Sequence, residues 1–185
     1  MTPAGPAWRG AVVPLLIGGL LGFIGGYFAA GGGRPSGTAA RTVPEAGGGD
    51  RLAALRGDLE RDPENPKLLT ALGNAHYDRE EWDLAIEAYE KARREAPADA
   101  NLLSDLGAAY RNRGEFGRAV HFFERARESD AEHWQSLLNL TLVHAFDTGD
   151  TEAAERCLDE LKRRYPDIPR LDRIAEKISR RRAGV

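Results

Sequence analysis

The most constraining feature of this sequence is a repeat, because matching residues return 34 positions later in the middle of the chain. The matched pairs are Pro63 and Pro97, Gly73 and Gly107, Ala85 and Ala119, Tyr89 and Phe123, and Ala92 and Ala126. A fixed period of this length is typical of stacked units that each bury an apolar face against their neighbours. We therefore expect two helices per repeat, with the small residues where helices cross closely and the aromatic residue in the adjoining gap.

The order of these residues indicates which kind of repeat is present. Repeat one has, in chain order, Leu72-Gly73, Ala85, Tyr89, Ala92 and Pro97, and repeat two has Leu106-Gly107, Tyr110, Ala119, Phe123 and Ala126. This order resembles the tetratricopeptide repeat, which implies an all-α solenoid of helix-turn-helix units. Repeat one then covers residues 66–99 and repeat two covers residues 100–133. Their internal turns are expected at Glu80–Glu81 and at Gly114–Glu115.

The pattern continues more weakly in both directions. Residues 134–166 fit a third repeat if one residue is inserted before Gly149, and the pattern then contains Ala154, Leu158, Leu161 and Pro166. Upstream, residues 50–65 have apolar residues at helical spacing, namely Leu52, Leu55 and Leu59. This segment is expected to be a partial repeat that caps the array, since an open end would leave apolar surface exposed. The array therefore covers residues 50–166.

Residues 167–185 are expected to form a basic helix that solvates the far end of the array. One face is apolar, with Leu171, Ile174, Ala175 and Ile178. From Lys162 onward the chain has nine basic and three acidic residues, whereas residues 50–161 have 14 basic and 25 acidic ones. Arg180–Arg182 has two interpretations: a solvated helix end that suits the helix dipole, or a contact to anionic lipid or nucleic acid.

The N-terminal part has a different composition. After a tail at residues 1–10, residues 11–30 contain no charged side chain; as a helix they would be about 30 Å long, which matches a bilayer core. We interpret them as a transmembrane helix, the alternative being a cleaved signal peptide. Residues 31–49, rich in Gly and Pro, are expected to be a flexible linker. Three glycines at four-residue spacing suggest a homodimer contact or ordinary membrane-helix glycine: Gly18, Gly22 and Gly26.

The sequence shows no pattern that carries catalysis. The single cysteine, Cys157, excludes an intramolecular disulfide and a multi-cysteine zinc site. No protease, hydrolase, kinase or nucleotide-binding motif is present, and the four histidines have no second ligand at helical spacing. We therefore expect no enzyme activity, no cofactor, no metal and no small-molecule substrate. Nucleic acid is not the expected partner.

The resemblance instead implies a concave groove made by the first helix of each repeat, which binds a protein or peptide partner. Transferred position by position, the groove comprises Lys67, Thr70, Asn74, Tyr77, Asn101, Ser104, Asp105, Arg111, Asn112, Gln135, Asn139 and Leu142. The asparagines are of interest because an amide can both donate to and accept from an extended backbone. An exposed asparagine can equally just solvate its helix.

The combination of an anchor, a linker and a small array is similar to membrane-tethered tetratricopeptide proteins of bacteria, including accessory proteins of cytochrome c maturation. The resemblance implies a scaffold that binds a partner segment during assembly of a membrane or exported protein. The alternative function is a structural subunit docked permanently in a membrane complex. Arg9 nearly balances Arg34 and Arg41 across the apolar stretch, so charge does not set the orientation. The expected location, an inner membrane with extracytoplasmic repeats, therefore rests on the resemblance and on the absence of a second apolar span.

Overall fold

The computed structural model describes residues 48–184, and side chains from Arg51 onward. The tail at residues 1–10, the expected membrane helix and its glycines, and residues 31–47 of the expected linker lie outside this part. The described residues are helical, with α1 Gly48–Arg61, α2 Pro66–Tyr77, α3 Trp82–Glu95, α4 Ala100–Asn112, α5 Phe116–Ser129, α6 Trp134–Leu142, a π-helical turn Val143–Thr148, α7 Thr151–Arg164 and α8 Leu171–Arg182. Within this part, none of the helices has the length and apolar character needed to cross a membrane.

The expected helical repeat fold is confirmed for the described residues. Each repeat contains a first helix (α2, α4 or α6) and a second helix (α3, α5 or α7), and each helix packs on its neighbour in the chain. Helix α1 begins at Gly48, two residues inside the segment assigned to the linker. Assigned helix ends commonly differ by one or two residues, so the change in composition and the start of α1 agree to within that margin.

The residues that cap the N-termini of the first helices are also spaced 34 positions apart. The side chain of Asn65 accepts hydrogen bonds from the backbone amides of Lys67 and Leu68, and Asp99 accepts one from Leu102. In repeat three, His133 accepts from the amide of Ser136. Side-chain acceptors at this position satisfy amides that have no partner inside the helix, so each cap fixes where its first helix starts.

The glycine–aromatic pairs mark the closest helix crossings. A Cβ atom added at Gly107 would lie 2.7 Å from the Phe123 ring, and one added at Gly73 would overlap the Tyr89 ring. Both rings are fully buried. The first and second helices of repeats one and two can therefore approach this closely only because the first helix has no side chain at the crossing.

The turns inside the repeats occur where the sequence predicts them. Gly114 has φ 84° and Glu80, at the corresponding position of repeat one, has φ 60°. Both are left-handed conformations that end a helix and favour glycine. In repeat three Gly149 has the same role with φ 78°. It lies one residue later than the period predicts, and the π-helical turn immediately before it takes up that extra residue.

The buried apolar side chains form two cores. Core one, inside repeats one and two, includes Tyr89, Leu106, Tyr110, Phe122 and Phe123. Core two, inside repeat three and α8, is made of Leu137, Leu138, Leu142, Ala145, Ala154, Leu158, Leu161, Leu171 and Ile178. Helix α6 and the π-helical turn contribute to both cores, since Leu140 and Val143 belong to core one. The array is therefore continuous across the junction.

Candidate functional groove

The candidate site is the surface made by the first helices, which is the inner face of a stack of this kind. Two hydrogen bonds connect successive first helices in the same way. Asn112 Nδ2 donates to Tyr77 Oη at 2.7 Å, and Arg111 Nε donates to Asp147 Oδ2 at 2.5 Å. The second bond is the first one moved along by one repeat, with the inserted residue lengthening its sequence separation to 36. The groove floor is therefore cross-linked by its own polar side chains.

Two of the four asparagines assigned to the groove, Asn74 and Asn139, are less available to a ligand than the sequence suggests. Asn74 is partly buried, and its Oδ1 accepts a 2.7 Å hydrogen bond from the hydroxyl of Tyr89. Asn139 is also partly buried and donates weakly to Ser104 Oγ at 3.5 Å. Neither side chain is therefore fully exposed. Asn112 is exposed, but it is bonded to Tyr77.

Other expected groove residues are turned inward. Ser104 is 6% exposed and Leu142 is 8% exposed, and Leu142 belongs to core two. Thr70 is partly buried and its hydroxyl donates to the carbonyl of Pro66, one turn earlier in α2. Assignment of Ser104 and Leu142 to a binding surface was therefore wrong, because helix packing covers these positions.

Three of the expected groove residues keep side chains that make no hydrogen bond or ion pair within the described part of the chain: Lys67, Asp105 and Gln135. Lys67 and Gln135 occupy the same repeat position at the start of their helices. Asn101, which occupies that position in repeat two, is exposed, and its Oδ1 lies 3.2 Å from His133 Nε2. The side chains of Lys67, Asp105 and Gln135 are therefore the polar groups of the groove that remain available to a ligand.

Asp105 is the unusual member of this set. It is partly buried in the middle first helix, and burial, with a smaller contribution from the charge of Asp99, raises its pKa to about 7. Burial is the main reason why the pKa values of Tyr77 and Tyr89 are raised, and the charge of Asp105 makes a smaller contribution in the same direction. A carboxylate in these surroundings has lost water without gaining a counterion, which favours its neutral form.

The histidines and the cysteine behave as structural residues. His76 Nδ1 lies 2.6 Å from Glu81 Oε2, and His133 Nδ1 lies 2.7 Å from Ser136 Oγ. Burial raises the pKa of Cys157, which disfavours a reactive thiolate. Within residues 48–184, no three His, Cys, Asp or Glu side chains are grouped so that they could hold a metal ion.

The basic C-terminal helix is partly neutralised by its neighbours. Arg180 pairs with Glu176 on α8, and Arg182 pairs with Glu155 on α7 at 2.8 Å. Two of the three consecutive arginines therefore hold the helix and its junction with repeat three. Such exposed pairs are weak, but they lower the charge that this end presents to an anionic surface.

Comparison with known proteins agrees with this architecture. Two family models, both of the tetratricopeptide repeat, match residues 76–141 and residues 135–167. The chain therefore carries tetratricopeptide repeats. No curated protein matches the chain. Repeats of this kind stack into extended concave surfaces that such proteins generally use to bind protein partners.

A solved structure shares the fold. It is a tetratricopeptide repeat protein from Parabacteroides merdae, with a TM-score of 0.65 and 18% sequence identity. The alignment covers 72% of this chain and 53% of the other, so this chain matches about half the length of that protein. The similarity supports the solenoid and its repeat register.

Proposed function

We propose that this protein is a membrane-anchored scaffold whose groove binds an extended or helical segment of a partner protein. The observation that carries the proposal is the set of unpaired polar side chains on the first-helix face. Among the described residues, the side chains of Lys67, Asp105 and Gln135 make no hydrogen bond or ion pair, whereas Tyr77–Asn112 and Arg111–Asp147 on the same surface are bonded pairs. Such groups can exchange their hydrogen bonds with water for bonds to a ligand, while the bonded residues hold the floor rigid.

The anchor in this proposal is the uncharged stretch at residues 11–30, and the Gly- and Pro-rich residues after it are the linker. The proposal puts the array beside an inner membrane on its extracytoplasmic side, where it assists the assembly or maturation of a membrane or exported protein such as a c-type cytochrome. Support comes from the length of the apolar stretch and from the resemblance to anchored bacterial repeat proteins. A homodimer through Gly18, Gly22 and Gly26 is part of the same proposal.

Site-specific photocrosslinking in membranes tests the groove. A benzophenone amino acid replaces Gln135 on the inner face or, as the control, Leu84 on α3. We expect the Gln135 variant to capture a partner and the Leu84 variant to capture none, since the two positions lie on first and second helices respectively. Capture only from Leu84 would contradict groove binding.

That control position also carries the second candidate function. Among the described residues, Leu84 is the large apolar residue that is exposed to solvent, with a relative accessibility of 46%. In this second function, Leu84 is covered by a subunit of a larger complex in which the protein is permanently docked. In that case one stoichiometric partner would crosslink from Leu84, and detergent extraction would recover this protein and its partner together.

The anchor has an independent test. Full-length protein should remain with membranes after washing with high salt and with carbonate, because burial of apolar surface is not weakened by salt. Protease added to spheroplasts should digest the repeats if they are extracytoplasmic. Release by the wash contradicts the anchor, whereas protection of the repeats until lysis reverses the orientation.

A further inference from the structure

The middle of the groove contains a charge that the neighbouring repeats lack. Asp105 on α4 corresponds to Ala71 on α2 and to Asn139 on α6, since the three positions are 34 residues apart. Asn139 reaches Ser104 on the previous first helix, but Asp105 makes no hydrogen bond or ion pair among the described residues. The single carboxylate at this repeat position is therefore the one without a partner.

The groups near Asp105 are already paired with one another. The Tyr77 hydroxyl accepts from Asn112, and the Tyr89 hydroxyl donates to Asn74. Arg111, on the same helix, forms its ion pair with Asp147 instead. No cation of the described part of the chain therefore neutralises this carboxylate.

Leaving a partly buried carboxylate in this state is costly, because it has lost water without gaining a counterion. The raised pKa of Asp105 reflects that cost. A ligand that brings a positive charge would restore favourable surroundings for the ionised form. A ligand that brings a carboxylate would add like-charge repulsion.

We propose that Asp105 is the specificity-determining residue of the groove and that it receives a lysine or arginine side chain from an extended segment of the partner protein. The inference rests on the proposed groove function and adds the chemistry of the occupant. The grooved inner face of a solenoid suits a peptide segment. A metal cation would require additional ligands, and the described residues group no three together.

Selection from a random peptide library displayed on phage tests this assignment on the full-length protein in detergent. Three proteins are compared: wild type, Asp105→Asn and Asp159→Asn. The Asn variant at 105 installs the amide that repeat three has at position 139. Asp159 is an exposed aspartate on α7 and gives the same chemical change away from the groove. Circular dichroism and thermal unfolding check that each protein is folded.

We expect wild type and Asp159→Asn to enrich peptides that share one lysine or arginine, and Asp105→Asn to lose that preference. For one enriched peptide, replacing its basic residue with glutamine should weaken binding to wild type about tenfold or more. The same replacement should have little effect on binding to Asp105→Asn, since the pair is already broken.

The failures are distinguishable. Enrichment of the same basic residue by Asp105→Asn overturns the assignment of Asp105. A second outcome also overturns the assignment of Asp105: the selected peptides share no basic residue, and their binding is lost when the protein carries Gln135→Ala. That outcome leaves the groove function intact. If no peptide is retained, or if binding is insensitive to both groove changes, the proposed function fails together with this inference.

Discussion

At the crossing of its two helices, repeat two places Gly107 against the ring of Phe123, whereas repeat three has Thr141 and Leu158 at the corresponding positions. Both crossings are buried, since Phe123 and Thr141 are fully inaccessible and Leu158 is 5% exposed. The glycine is thus required by the aromatic ring opposite it and not by the repeat as such. Where a smaller leucine replaces the ring, a side chain returns to the first helix.

The two repeats also differ in how their first helices end. In repeat two, α4 ends at Asn112 and the left-handed Gly114 comes two residues later. In repeat three, α6 continues into the π-helical turn, which contains the extra residue, before Gly149. A widened turn lengthens a helix locally by one residue without displacing the second helix of the repeat. Repeat three therefore keeps its second helix in register with the array despite a longer sequence.

The largest expected difference lies in the crossing side chains. Phe123→Ala should lower the free energy of unfolding by about 3–5 kcal/mol, and Leu158→Ala by about 2–3 kcal/mol. Phe123 fills more volume, and Gly107 opposite it has no side chain that can refill the cavity. Urea unfolding followed by circular dichroism measures both values. An equal or larger loss for Leu158→Ala would show that the aromatic crossing of repeat two contributes no more to stability than the leucine crossing of repeat three.

Much of the fold could be predicted from the sequence because packing sets the period. Gly73 and Gly107 recur since each meets a ring on the next helix, and Gly149 marks the inserted residue by its late position. How the helix absorbs that residue could not be predicted, since a longer turn and a π-helical turn both fit the spacing. Helical periodicity does not distinguish them.

The candidate groove was predicted less well, because its state depends on contacts between repeats. The hydroxyl of Tyr89 reaches across from a second helix to Asn74, which repeat position alone does not reveal. Arg111 meets Asp147 only after the inserted residue is counted. The separation of about one repeat between bonded residues is a signal that could have identified the Tyr77–Asn112 and Arg111–Asp147 pairs. It would also have left Asp105 without an assigned partner.

A second test transfers the crossing of repeat three into repeat two. Gly107→Thr should lower the free energy of unfolding by about 1–3 kcal/mol, because the new Cβ would lie 2.7 Å from the Phe123 ring. Gly107→Thr combined with Phe123→Leu should cost less than the two single changes added together, since the leucine makes room for the threonine. Urea unfolding of the four proteins gives the coupling energy.

The control for this cycle is Gly117→Thr, because a Cβ added at Gly117 meets no atom within 4 Å. It should change stability by less than about 0.5 kcal/mol. Strict additivity of Gly107→Thr and Phe123→Leu would show that the two residues are not matched to each other.

A third test removes the charge difference between Asp105 and Asn139. The folded pKa of Asp105, about 7, lies above its unfolded value, so the folded state holds this proton more tightly. Stability contributed by the protonated form is present below about pH 4 and is lost as the pH rises through 7. Asp105→Asn should therefore match wild type near pH 4 and be more stable by up to about 4 kcal/mol at pH 8, since each of the roughly three pKa units corresponds to about 1.4 kcal/mol.

Thermal and urea unfolding of wild type and Asp105→Asn across this pH range measures the difference. Asp159→Asn should show no such pH-dependent gain, because Asp159 is exposed. If Asp105→Asn is destabilised at pH 8, the carboxylate has a stabilising partner in the folded chain and is not free to pair with a ligand.

The smallest expected effect concerns the inserted residue. His144 lies in the π-helical turn, and its Nδ1 atom is buried without a hydrogen-bond partner. Deleting His144 should convert the turn to ordinary α-helix and restore the 34-residue period, while the residues on either side keep their positions. The free energy of unfolding should change by less than about 1 kcal/mol, since removal of an unsatisfied polar atom offsets the lost packing.

Deletion of Asn112 is the matched control, because this exposed residue ends a first helix that has no extra residue to lose. Its removal must shift Gly114 or α5 out of register, so it should destabilise the chain by more than deletion of His144, although the side chain removed is smaller and more exposed. Urea unfolding gives both values. If the two deletions cost the same, the π-helical turn is not what accommodates the insertion, and the difference between repeats two and three reduces to the side chains at the helix crossing.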